Sequence, residues 1–163
     1  MKVKVVLFLT VFMTAAVFLA GSLTTEVRYQ VTITNLTRGQ VITPPLVFSH
    51  ISSLAIFVEG EHPRTALTML AHTHDAFFGI KHVQITWEGE KTVYANAYDA
   101  GIEENNETAA YIPAPLFAGA LRSYQNAEKF VHIHPGIHGM GDLMASMYDW
   151  RNPAAKIAVR RTD

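Results

Sequence analysis

A chain of 163 residues, 49% apolar and 10% aromatic, has the material for one globular core and too much of it for a disordered chain. Its 13 basic residues stand against 14 acidic ones, a formal charge of -1, so no basic face advertises a nucleic-acid partner. The absence of cysteine excludes disulfides, thiolate catalysis and cysteine metal sites together.

The N-terminus reads as an export signal. Lys2 and Lys4 precede an almost unbroken apolar run from Val5 to Ala20, and small residues follow from Gly21. A positive start, a short apolar stretch and small residues describe a cleaved signal peptide over residues 1–24. The run of about sixteen falls short of the ~20 residues that span a bilayer. A lipoprotein signal would need a cysteine where Ser22 stands. The mature chain, 26–163, is then expected outside the cytoplasm, secreted or periplasmic.

From Val27 the pattern becomes extended. Val27, Tyr29, Val31 and Ile33 alternate with Arg28, Gln30, Thr32 and Thr34, the period of a strand with one buried face. "SLAIFVEG" (53–60) and "TALTMLAH" (65–72) are further strand candidates, the second also compatible with helix. "VQITWEGEKTVYANAYD" (83–99) reads as strand, turn and strand. "KFVHIHPG" (129–136) and "AAKIAVRR" (154–161) complete the set. Helix is expected only in "LMASMYDW" (143–150) and "APLFAGALRSY" (114–124). Many short strands separated by turn signals and prolines predict an all-β fold, an antiparallel β-sandwich with one or two short helices.

Two segments carry candidate chemistry. In "YDAGIEENNE", Asp99, Glu103, Glu104 and Glu107 surround Gly101 directly after a strand. Such a loop is either a solvated acidic surface or a source of the six to eight oxygens that calcium requires. In "VHIHPGIHGMGDL" (131–143), His132 and His134 fall on one face of a strand, their Cα atoms roughly 6.6 Å apart. With His138 beyond the turn, and His50 from elsewhere, they offer a zinc or copper site with Asp142 as an outer carboxylate. The alternative is that these histidines pack and hydrogen-bond near strand ends. A cupin pattern fails, because His138 stands where that motif needs Glu and Asn126 where it needs Gly. There is no nucleophile elbow and no phosphate-binding glycine loop.

"YQVTITNLTRGQVITPPLVFSH", "THDAFFGI", "YANAYDAGIEENNE" and "VHIHPGIHGMGDL…YDWRNPAAKIAVRR", taken together and in order, resemble the bacterial spondin-domain proteins. More remotely they resemble the N-terminal spondin domain of animal F-spondin and mindin. The resemblance covers nearly all of the mature chain and implies a β-sandwich that binds calcium. It implies adhesion or surface binding rather than catalysis, with an extracellular or envelope protein, a glycan or a membrane surface as partner. It implies Asp75, Asp99 and Glu103 as the calcium ligands, with Glu103 standing where the family has Asp. The chain departs from the family between Glu61 and Thr65, where only His62, Pro63 and Arg64 replace a longer insert. A lost edge strand there would leave an exposed edge that favours association.

Overall fold

A computed structural model of the chain describes residues 2–7, 27–47, 55–65, 67, 75–80, 83–84, 88–114 and 116–163. His50, the apolar part of the expected leader from 8 onward and most of the 65–72 run lie outside the described residues. No helix among the described residues is long and apolar enough to cross a membrane.

The fold is all-β and antiparallel. Its strands are β1 (Lys2–Leu7), β2 (Tyr29–Asn35), β3 (Ala76–Gly79), β4 (Glu90–Asp99), β5 (His132–Ile133) and β6 (Ala155–Arg161). A 3-10 turn occupies Ala109–Tyr111, and a single helical turn, α1, spans Ala145–Tyr148. The sheet order is β1-β2-β6-β4-β3, with β5 also pairing β4. The described strands thus form one connected sheet, curled into a half-barrel. The facing layer of a sandwich is not seen among the described residues.

Alternation decides which strands carry the core. Val31 and Ile33 of β2, Ala95 of β4, and Ala155, Ile157 and Val159 of β6 are buried together, with Tyr29, Val93 and Phe78 packed against them. The register pairs Val31 with Val159, Ile33 with Ile157 and Ala95 with Ala155, so apolar side chains meet directly across the ladder. A second core gathers Phe57, Leu67, Ala100 and Val131. In it, Phe57 meets Phe77 edge to face at 5.0 Å between ring centroids and lies 5.0 Å from Tyr98.

Three local expectations are revised, and one left open between strand and helix, residues 65–72, is helical where described. Residues 55–60 form no strand, although Gly60 N donates to Val131 O at 2.7 Å and Val131 N to Glu61 O at 2.9 Å. Thr65 and Leu67, the described part of the next run, are helical. Residues 117–124 are not helical, despite their Ala and Leu content. Gly119 N donates to Ile112 O at 3.0 Å and Leu121 N to Ala110 O at 3.1 Å, which ties this stretch to the 3-10 turn instead. Ala76–Gly79, outside the expected strands, is a strand because β4 is long enough to pair it beyond the end of β6.

Candidate metal centre

β4 sets the position of the site. Ala95, Ala97 and Asp99 are alternate residues and all are buried, so Asp99 takes the next inward-facing place after two alanines. It is fully buried, at 0% exposure. Its register partners are Ala76 on β3 and His132 on β5, and antiparallel partners present their side chains on the same face. Asp75, one residue before β3, is also buried, and its carbonyl accepts from Ala100 N at 2.8 Å.

Gly101 brings the remaining acid into place. Its φ is +68°, and a Cβ there would lie 2.7 Å from Phe130 N. Only glycine tolerates both the left-handed turn and so close a backbone. Lys129 N donates to Gly101 O at 2.8 Å, which fixes residues 128–130 against the loop. One ligand atom each from Asp99, Glu128 and His132 then lies within 4.8 Å of the others.

The hydrogen bonds leave this cluster short of positive charge. Asp99 Oδ1 accepts from Gly101 N at 2.5 Å, and Oδ2 from Asn105 Nδ2 at 2.5 Å. Asn105 Nδ2 also donates to Glu128 Oε1 at 3.2 Å, so one neutral amide holds two carboxylates together. Among the described residues, Glu128 Oε2 is the buried side-chain oxygen that finds no hydrogen-bond partner. Asp75 Oδ2 accepts from Ile102 N at 3.1 Å and from Glu103 N at 2.8 Å. Burial pushes the Asp75 carboxyl up to about 6, aided by the charge of Asp99 and by a hydrogen bond between the two acids. Asp99 is raised as well, chiefly by burial, against the hydrogen bonds from Asn105 and Gly101. Two buried acids this close disfavour being charged together, and a bound cation would relieve that repulsion.

The acidic loop contributes less than its composition suggests. Glu103, an expected ligand, is buried and its carboxylate is ion-paired with Arg122. Glu104 accepts from Asn126 Nδ2 at 2.7 Å and Ser123 Oγ at 2.8 Å, bonds that hold its carboxyl below the usual range. Glu107 accepts from three successive backbone N–H groups, His138 at 2.6 Å, Gly139 at 2.7 Å and Met140 at 2.9 Å. The mutual repulsion expected of these side chains is met by protein donors rather than by one shared ion.

The histidines are divided among different surroundings. His132 joins Asp99 and Glu128. His134 is buried against Trp150, ring centroids 4.9 Å apart, and its Nδ1 accepts from Gly136 N at 3.0 Å. Burial, with His132 nearby, lowers it to about 4, so it is neutral with its proton on Nε2. His138 is exposed, its Nε2 3.3 Å from Pro135 O. The three do not converge as one ligand set among the described residues. Asp142 accepts from Ala109 N at 2.7 Å and orients no histidine through any bond seen here.

Sequence reasoning missed Glu128, Asn105 and Arg122. No spacing marks the first: Lys129, at φ +68°, breaks the alternation between Glu128 and His132. Comparison of the chain with protein-family models, with curated proteins and with solved structures gives no match.

Proposed function

We propose that the chain is an exported calcium-binding β-module that acts by surface binding rather than catalysis. Asp75, Asp99 and Glu128 supply the carboxylates, and Asn105 supplies an amide oxygen once its side chain rotates. The observation that carries this reading is the orphaned Glu128 Oε2 beside the buried carboxyls of Asp75 and Asp99. A hard divalent cation would satisfy that oxygen and offset the repulsion between the acids. The spondin resemblance supports the reading through Asp75 and Asp99; Glu128 takes the place given there to Glu103.

The ion would act as a tie. It would join the start of β3, the end of β4 and residues 122–130, whose Leu121, Tyr124 and Phe130 neighbourhood exposes 59%, 58% and 44% of those side chains. An exported protein, a glycan or a membrane surface are the partners such a patch suits. His132 favours a second reading, zinc or copper held by Asp99, Glu128 and His132, because imidazole suits those ions better than calcium.

Melting of the metal-stripped chain against calcium, magnesium, zinc and copper tests both. A cation at 100 times its Kd adds about 2.7 kcal/mol. Stabilisation by calcium that is lost in Asp99→Asn and Glu128→Gln and kept in His132→Gln supports the calcium site. Stabilisation by zinc that is lost in His132→Gln supports the second reading. A chain that no divalent ion stabilises overturns both.

A further inference from the structure

We propose that Met140, Met144, Met147 and His138 form a surface site for copper(I), separate from the carboxylate cluster and independent of it. The observation is where the sulfur lies. Three of the six methionines in the chain fall within eight residues, and they are 66%, 57% and 47% exposed. A single exposed apolar side chain is ordinary. Three flexible thioethers beside an exposed imidazole are a set of soft donors.

The backbone brings them together. Met144 caps α1, and its carbonyl accepts from Met147 N at 2.9 Å, so the two residues bracket a single turn. A Cβ on Gly139 would touch Ala145 N at 3.7 Å and Ala145 Cβ at 3.8 Å, so the 138–140 loop lies against the first residue of that turn. Met140 and His138 flank Gly139 on either side. The loop is held before any ion arrives, because Glu107 binds its three N–H groups and Asp142 N donates to Glu107 O at 2.8 Å. With its proton on Nε2 facing Pro135 O, His138 leaves the Nδ1 lone pair for an ion.

The donors select the ion. Thioether sulfur is a poor ligand for calcium, magnesium or zinc and a good one for copper(I), and imidazole completes such a set. The three thioethers carry no charge, which suits a monovalent ion. In a chain without cysteine, methionine is the sulfur available for this task.

The test is an anaerobic titration of the full chain with copper(I), held by a competing chelator under excess reductant. Methionine methyl signals are followed by NMR in protein labelled at those carbons. The expected result is a single copper(I) bound, with the signals of Met140, Met144 and Met147 moving and those of the other methionines unmoved. Replacing all three by Leu abolishes binding, and each single replacement or His138→Ala weakens it by ~10-fold or more, the least seen when a metal site loses even an outer partner. Leucine at exposed positions preserves volume, so melting of the variants stays as in the parent. Asp99→Asn binds copper(I) as the parent does, which separates failure of this site from failure of the carboxylate site. Absence of copper(I) binding, or binding unchanged in the triple Leu variant, overturns the proposal.

Discussion

The Glu107 carboxylate caps the Gly139 N–H at 2.7 Å while it also holds the two neighbouring amides. An acid from the loop after β4 therefore organises the histidine-rich segment through its backbone, without binding any imidazole. Glu107 does so from a left-handed conformation, φ +56°, that is uncommon for a residue with a side chain.

Removal of that carboxylate is expected to be costly. Hydrogen bonds to a charged group contribute more than neutral ones, and amides left unpaired lose hydration without compensation. Glu107→Ala is expected to destabilise by about 3 kcal/mol and Glu107→Gln by roughly half that. Urea unfolding measures both, and equal values for the two variants would show that charge contributes nothing.

Two buried groups are expected to give stability opposite slopes in one pH range. Asp75, raised to about 6, binds a proton more readily in the folded chain, so its contribution to stability falls as pH rises from about 4 to about 6. His134, lowered to about 4, takes its proton more readily when unfolded, so its contribution rises between about 4 and about 6.5. Each is of order 3 kcal/mol and the two oppose. With Asp99 raised as well, the metal-free parent is expected to lose stability as pH rises; His134→Gln steepens that fall and Asp75→Asn makes it shallower. Melting temperatures across pH 4 to 7 read this directly.

Glu128 places a carboxylate beside Asp99 with one oxygen unpartnered, an arrangement that costs stability until something binds it. Glu128→Gln is expected to stabilise the metal-free chain by about 1 kcal/mol while reducing the gain from added cation. Calorimetry with and without the ion separates the two effects.

Glu103 and Asp99 should part company in the same assay. Glu103→Gln weakens the ion pair to Arg122 and is expected to leave cation affinity within about twofold, whereas Asp99→Asn abolishes it. Equal loss in both would return Glu103 to the ligand set.

The parts of this arrangement that the sequence discloses are those governed by short-range pattern. Alternation in Tyr29–Asn35, Glu90–Asp99 and Ala155–Arg161 marks three strands whose apolar faces do meet. Asp75 and Asp99 are linked by no short-range pattern; only the family resemblance pairs them. Glu103 is not legible as the partner of Arg122, because Gly101 turns the chain between Asp99 and Glu103 and the spacing along the sequence ceases to report direction. Glu128 is hidden for a related reason, since it reaches Asp99 only through the close approach of Gly101 to Phe130. Residues 117–124 mislead because helix preference is weak beside the hydrogen bonds that fix Gly119 and Leu121.

The pairing of β1 with β2 runs in register from Lys2 opposite Thr34 to Leu7 opposite Tyr29. The residues that read as the start of an export leader are the ones that cover the outer rim of the sheet. A chain trimmed of its first 24 residues would expose the free row of peptide groups along β2, open to a strand from another molecule. Removal of that segment would move the free edge of the sheet from β1 to β2, a strand whose Val31 and Ile33 belong to the core.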